Sequence, residues 1–260
     1  MTATSLADAD LGVRLAEIVE EAGRLILPLW TSGLEVTAKA DESPVTEADR
    51  RGEALILMRL AEAFPETPVV SEEYASAFGT PETIGGRFFL VDPLDGTKAF
   101  IRGDPSFTVN IGLIVNGSPV AGAVCAPATG ETWFTQGSGA MKRQSGAPLG
   151  QVSARSWPDG GAIALISHTM KPEAQAALKA EFGVATTLAM DSSVKLCRIA
   201  EGEADVYPRR GPTMEWDIAA AHAVLAAAGG RLTTLEGQPF AYGKADQGFR
   251  NGPFIARGAA

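Results

Sequence analysis

The sequence predicts a layered α+β fold, an αβαβα sandwich in which N-terminal helices lie on an antiparallel sheet and a C-terminal α/β half follows. Three observations carry that prediction. Two long segments near the N-terminus repeat apolar residues at helical spacing; short β-type runs follow them; and beyond residue 160 strand and helix patterns alternate.

The first helix sets Leu11, Leu15, Ile18, Val19, Ala22, Leu25, Ile26 and Leu29 on one side, opposite Glu17, Glu20, Glu21 and Arg24. Asp8 or Asp10 is its expected cap and "TSG" the turn after it. The second runs from Glu47 to Phe64, with Leu55, Ile56, Met58 and Leu60 toward the core and Pro65 and Pro68 ending it. From Val69, "PVVSEE", "RFFLVD", "FTVNIGLIVNG", "SPVAGAVCAP" and "ETWFTQG" read as strands, and Asn116-Gly117 marks a hairpin. After the polar stretch 144–160 come a strand at 162–167, a helix near 172–182 and a strand near 184–188. A helix at 192–201, the strand "ADVYP", a helix at 216–228 and the strands "GRLTTL" and "PFIAR" complete the chain. The expected division is an α+β half, 1–150, and an α/β half, 151–260, with a ligand cleft between them.

The formal net charge of −9 argues against nucleic-acid polymers or anionic lipid as partners. An anionic substrate would need a local reversal of sign, for which bound metal ions are the usual device. Cys125 and Cys197 sit in apolar surroundings and read as small core residues of a reducing compartment. No basic leader and no apolar run of ~20 residues is present, so a cytoplasmic protein is expected. A homodimer is left open, because interface stretches look like core in a sequence.

No GxxxxGK[ST], complete GxGxxG, CxxC, HExxH or GxSxG occurs, and the two histidines exclude a multi-histidine zinc site. What remains is carboxylates, which prefer hard cations such as Mg²⁺. In "FFLVDPLDGTKAF" an apolar run stops at Asp92, Pro93 turns the chain, and Asp95 can return to the same point, with the Leu94 carbonyl between them. Gly96 permits close backbone approach, and Thr97 opens a turn whose free amides favour phosphate. Glu72 and Glu73 end the strand in "VVSEE", and Asp49 lies in the first turn of the second helix. Taken singly, each segment also reads as a solvated turn or a helix-dipole partner.

Together, "KADESPVTEAD", "SEE", "DPLDGTKAF" and "EWDIAAAHAVLAAAGG" resemble the lithium-sensitive, magnesium-dependent phosphatases, which include inositol monophosphatases and fructose-1,6-bisphosphatases. The resemblance covers essentially the whole chain. Lys98 in "DGTK", "FTVNIGLI" and "YPRRGPTMEWD" are most similar to the CysQ-type 3′(2′),5′-bisphosphate nucleotidases.

This resemblance implies that Glu72, Asp92, Asp95, the Leu94 carbonyl and Asp217 hold two or three Mg²⁺ ions. It implies that Asp49 and Thr97, with Glu72, activate the attacking water. Gly96, Thr97, His168, Ser192, Lys195, Arg209 and Asp217 would contact substrate, with Lys39 a weaker candidate. Read as residues alone, His168 is a strand-end histidine, Ser192 a helix cap, Lys195 an exposed charge and Arg209 a surface neighbour of Arg210. Trp216 and His222 read as structural. Ala99, where the nucleotidases commonly carry Glu, and the run "RGDPSF" (102–107) depart from the pattern. The implied activity is metal-dependent removal of the 3′-phosphate of adenosine 3′,5′-bisphosphate, extending to 3′-phosphoadenylyl sulfate and sensitive to lithium. An inositol monophosphatase or sugar bisphosphatase with the same metal site, or a non-catalytic nucleotide or metal binder, is the alternative.

Overall fold

A computed structural model describes the backbone of residues 4–31, 36–38 and 44–260, and the side chains of 11–30 and 46–260. Helix α1 (Thr4–Thr31) precedes an antiparallel ladder of β1 (Val36–Ala38) and β2 (Pro44–Thr46), and then α2 (Glu47–Ala63). Next come β3 (Val69–Ser71), α3 (Glu72–Phe78), β4 (Arg87–Asp95), α4 (Thr97–Ile101) and β5 (Thr108–Val115). Strands β6 (Ser118–Ala126), β7 (Glu131–Gln136), β8 (Gly139–Gln144) and β9 (Gly150–Val152) complete a seven-stranded sheet in plain sequence order.

The second half runs β10 (Ile163–Ile166), α5 (Pro172–Phe182), β11 (Thr186–Ala189), α6 (Val194–Ala200) and β12 (Val206–Arg209). It ends with β13 (Thr213–Met214), α7 (Glu215–Ala227), β14 (Arg231–Thr234), β15 (Arg250–Asn251) and β16 (Phe254–Arg257). Its five-stranded sheet has the order β11-β10-β12-β16-β14, and β13 pairs with β15.

The layers follow from which faces are apolar. On β4, Phe89 and Val91 face α1 and α2, while Phe88 and Leu90 face α6 and α7. A strand covered on both sides reads as a continuous apolar run rather than an alternating one. Helices α6 and α7 lie between the two sheets, and α5 covers the far face of the second, through Leu178 against Ala164 and Val206. The result is the expected αβαβα sandwich. The core of the α6–α7 layer takes Phe88, Leu90 and Trp133 from before residue 150 and Leu196, Trp216 and Leu225 from after it. Among the described residues, no helix is long and apolar enough to cross a membrane.

Several local expectations need correction. Helix α1 begins at Thr4, ahead of both aspartates expected to cap it. Most of the "TSG" turn and Lys39 lie outside the described residues. Leu25 and Met58 are 38% and 47% exposed rather than core. The buried ridge of α2 is Ala48, Gly52, Ile56 and Leu60, and Met58 stands about 200° around the helix from Ile56. Strand β3 pairs parallel to β4, so the sheet is antiparallel only from β4 onward, and the seven-residue α3 follows where the sequence pattern predicts no helix. The Asn116-Gly117 hairpin stands as expected, with φ of 48° and 78° at its two residues.

Helix α7 is buried on nearly every side from Glu215 to Leu225, as a helix between two sheets must be. Gly112 and Gly122 face each other across β5 and β6. A Cβ on Gly112 would fall 2.8 Å from the Ala220 nitrogen, and one on Gly122 would fall 2.3 Å from the Ala220 carbonyl oxygen. The backbone of α7 therefore rests directly on the sheet. Gly122→Ala is expected to destabilise the protein by about 1–3 kcal/mol through overpacking. Urea unfolding measures this, and an unchanged midpoint would mean the helix is not seated there.

Candidate active site

Strand β4 continues through both aspartates instead of ending at the first. Asp92 pairs with Asn110 and Asp95 with Thr108, so three steps on β4 match two on β5. The extra residue is a β-bulge at Pro93–Leu94. In a regular strand, residues three apart point to opposite faces, and one added residue returns Asp95 to the side of Asp92. Gly96, at φ +93°, then turns the chain into α4; a Cβ there would lie 2.8 Å from the Ser106 carbonyl oxygen.

Helix α2 brings two carboxylates one turn apart. The Thr46 amide and hydroxyl donate to Asp49 Oδ2 at 2.7 and 2.6 Å, closing a capping box. The Thr97 hydroxyl lies 3.3 Å from Asp49 Oδ1 and 3.2 Å from the Leu94 carbonyl oxygen. The pair expected from the sequence is thus in contact. Glu53 Oε1 accepts from the amides of Glu73 and Tyr74 at 3.0 and 3.1 Å. It caps α3 from outside, where Ser71 offers no side-chain bond, and so fixes Glu72 as the first helical residue.

Asp217 lies in the first turn of α7, with Oδ2 accepting from the Met214 amide at 2.9 Å. Ser193 joins the halves: its amide donates to Asp95 Oδ2 at 2.6 Å and its hydroxyl donates to the Asp217 carbonyl. Asn110 Nδ2 in turn donates to the Ser193 hydroxyl at 3.3 Å.

The electrostatics are those of crowded acids. Asp92 is held well above the carboxylate range by burial, then by the charges of Glu72, Asp95 and Asp217. Asp217 is raised for the same reasons, burial first, then Asp95 and Glu72. Asp95 is pushed up to about 6 by burial, against the pull of Lys195 and the Ser193 amide. Burial in turn pushes Lys195 down to about 8.

Among the described residues, no three His, Cys, Asp or Glu side chains converge closely enough to hold an ion as placed. The donor set nonetheless fits a hard cation. It consists of oxygen atoms, its aspartates are raised by burial and then by shared negative charge, and two further oxygens beside it are buried without a partner. These are Asn110 Oδ1 and Thr108 Oγ1, on the cross-strand neighbours of Asp92 and Asp95.

The substrate-side candidates are less uniform. Lys195 is buried, not exposed; its Nζ donates to the Met190 carbonyl at 3.1 Å and lies 5.1 Å from the centre of the Tyr207 ring. The Arg209 guanidinium folds onto its own loop, donating to the Gly211 and Pro212 carbonyls at 3.2 and 3.1 Å. Ser192 is not the cap residue of α6, which is Ser193; it sits at φ +57° and packs against Gly96. His168 is exposed beyond the end of β10, beside Asp191 and Asp104. Trp216 and His222 are core. Burial pushes His222 down to about 4, with Nδ1 2.9 Å from the Tyr242 hydroxyl. Cys125 and Cys197 are buried, and burial pushes the Cys125 thiol up to about 12. A separate cavity of about 480 Å³ lies between α1 and the ends of β6–β8, lined by Glu20, Arg24, Cys125 and Arg143.

Four supporting residues went unrecognised in the sequence: Thr46, Glu53, Asn110 and Ser193. Thr46-x-x-Asp49 was readable as a capping pattern. Asn110 was readable as a polar break in an apolar strand. Glu53 and Ser193 act across the fold and leave no local mark.

Fold and site together define a class: a five-layer α/β sandwich with a cluster of buried acidic and carbonyl oxygens at the end of β4, suited to a hard cation. The chain belongs to the inositol monophosphatase family, whose model matches residues 11–254. It is 38% identical to the 3′(2′),5′-bisphosphate nucleotidase CysQ of Escherichia coli K12 over 234 residues, covering 88% of this chain and 92% of that protein. It is 34% identical to the histidinol-phosphatase of Mycobacterium tuberculosis, covering 88% of each. The crystal structure of CysQ from Bacteroides thetaiotaomicron superposes with a TM-score of 0.78 at 31% identity, covering 98% of this chain and 99% of that one.

Two expectations follow. Glu53→Ala strands two amides and should cost about 1–3 kcal/mol, whereas Glu53→Gln keeps an acceptor in place and should recover most of it. The rise in Tm on adding Mg²⁺ should shrink in the alanine variant alone; equal behaviour of the two variants would detach Glu53 from Glu72. The second concerns pH. A carboxyl raised in the fold opposes folding above its folded value, and the opposition fades as pH falls. Mg²⁺ should therefore raise Tm more above the Asp95 value of about 6 than below it. His222, held down to about 4, loses stability from its ordinary value of 6.5 downward, the opposite sense. Comparing Tm with and without Mg²⁺ at each pH cancels that contribution, and a pH-independent difference would count against the acids as the cation site.

Proposed function

We propose that the protein is a divalent-metal-dependent phosphomonoesterase that removes the 3′-phosphate of adenosine 3′,5′-bisphosphate, and also acts on 3′-phosphoadenylyl sulfate. The observation that carries this reading is the Asp49–Thr97 pair, 3.3 Å apart, lying against the Leu94 carbonyl and beside the aspartates of β4. A passive binder has no use for such a pair. The similarity to CysQ nucleotidases over most of the chain supports the choice of substrate.

Glu72, Asp92, Asp95, the Leu94 carbonyl and Asp217 would hold two or three Mg²⁺ ions. Bound there, the metal supplies Lewis-acid stabilisation of phosphoryl charge and lowers the pKa of water. The chain's own groups do the rest. With its proton directed to Asp49 Oδ1, the Thr97 hydroxyl presents its lone pairs to a water and takes up a proton as Asp49 receives one. The bulge at Pro93–Leu94 and the turn at Gly96 hold these groups in a fixed relation to the aspartates. Lys195, close to Asp95 and Asp217, adds fixed positive charge on the substrate side.

Phosphate release from adenosine 3′,5′-bisphosphate, inositol 1-phosphate and histidinol phosphate, measured side by side with Mg²⁺ and then with added Li⁺, tests the reading. The nucleotide should be strongly preferred, and Li⁺ or a chelator should abolish release. Asp95→Asn should lose turnover on the order of a hundredfold or more while remaining folded. A fully active Asp95→Asn enzyme would remove the metal mechanism, and a preference for either other ester would replace the substrate.

A further inference from the structure

The cavity of about 480 Å³ beside α1 stands apart from the acidic centre. Cys125, on its floor, belongs to the core that α1 and α2 share with the large sheet. Asn110 and Ser193, which frame the acids, meet at the start of α6 on the other face. Strand β6 is also two places from β4, roughly 10 Å across the sheet. The cavity's size is that of a small-molecule pocket, roughly 300–1,000 Å³, and its walls are preformed. On α1, Glu20, Gly23, Arg24 and Leu27 share one face. Gly23 lets that face close on the floor: a Cβ there would lie 3.0 Å from Pro127 Cγ and 3.1 Å from Cys125 Sγ. The far wall is the loop after β8. It is closed by the Ala147 amide, which donates to the Gln144 carbonyl at 3.0 Å, and tied to the β6–β7 turn by the Ser145 amide, which donates to the Gly130 carbonyl at 2.9 Å.

The lining is unevenly charged. Arg143 donates through Nη1 to both Glu20 oxygens, at 2.9 and 3.0 Å, with its guanidinium 5.2 Å from the centre of the Phe134 ring. That pairing uses the acid in the lining, and Glu21, beside it on α1, is held by Arg59 at 2.7 Å. Arg24 is exposed and makes no salt bridge or hydrogen bond among the described residues, although its charge reaches the Cys125 thiol. One positive charge is therefore left over, in a protein whose net charge is −9. Leu27, Cys125, Pro127 and Ala147 line the remainder with apolar atoms. We propose that this cavity is a second ligand site, for a small organic monoanion whose carboxylate is met by Arg24 and Arg143 and whose apolar body packs against Leu27 and Pro127. A planar guanidinium matches a carboxylate two oxygens at a time. A phosphate dianion fits less well, because Glu20 repels the second charge. Cys125 takes no chemical part: burial pushes its thiol up to about 12, so it stays neutral and serves as a small apolar group.

Calorimetric titration in the presence of a chelator tests this with three probes of one shape: 3-phenylpropionate, its neutral amide, and the cation 3-phenylpropylamine. The carboxylate should bind at least tenfold more tightly than the amide, and added salt should narrow the gap. Arg24→Glu should reverse the order, so that the amine binds best. Ala147→Trp should block all three probes. Both residues are exposed, so the unliganded Tm should not change. Backbone amide shifts at Gly130, Ser145 and Gly146 on adding 3-phenylpropionate to the wild-type protein locate the site independently of any variant. Absence of binding by all three probes, equal binding of carboxylate and amide, or a preference that survives Arg24→Glu would overturn the proposal. Shifts confined to the surroundings of Asp95 would do the same. No probe is a phosphate ester, so these outcomes leave the proposed hydrolysis to its own test.

Discussion

The direct seating of α7 on the large sheet is the constraint from which the site follows. Two glycines paired across β5 and β6 leave no side chains between helix and sheet, so the helix backbone can lie against the strands. At ordinary helix-on-sheet separation, Asp217 would stand away from Asp92 and Asp95. The close approach brings an acid from near residue 217 to acids from near residue 92. Ser193 then ties Asp95 to the Asp217 carbonyl. The alanines of α7 serve the same purpose, since large side chains would lift the helix away again.

That geometry creates an electrostatic conflict. Burial and mutual repulsion both disfavour charge on Asp92 and Asp217; Lys195 and Ser193 ease it at Asp95, the Leu94 amide at Asp92, and the Met214 amide and Arg209 at Asp217. Elsewhere among the described residues, buried acids such as Glu131, Asp205 and Glu215 are matched by cations. Glu131 meets Lys142 and Arg198 at 2.7 Å each, and its carboxyl sits down at about 2 despite its burial. The contrast shows that this chain can neutralise a buried carboxylate with its own cations where structure alone requires it. At the rim of β4 it does not, and the imbalance is what makes the location suitable for cations from outside.

Much of this arrangement was readable from residue order, and what was not has a physical reason. The strands showed because their apolar runs are short and bounded, and the β5–β6 hairpin because Asn116-Gly117 accepts positive φ. Asp92 and Asp95 showed as polar residues halting an apolar run. Their common orientation did not show, because a bulge is a property of two paired strands and β5 had to be placed first. Met58 faces solvent although it is apolar, because apolar composition does not fix which side of a helix meets the sheet. Lys195 looked solvated, since nothing local announces that the second sheet covers it. Glu53 caps a helix twenty residues away, a relation with no sequence periodicity at all.

The shared α6–α7 layer also bears on how the chain is made. The large sheet is complete in sequence by residue 152, but the helices that cover one of its faces lie between 194 and 227. At ribosomal rates of about 5–20 residues per second, roughly 4–15 s separate the synthesis of that sheet from the synthesis of its cover. During that interval Phe88, Leu90, Trp133 and the paired glycines present an open apolar furrow to solvent or to whatever binds nascent chains. The feature that lets two distant acids meet in the finished protein is, in the unfinished one, its most exposed adhesive surface.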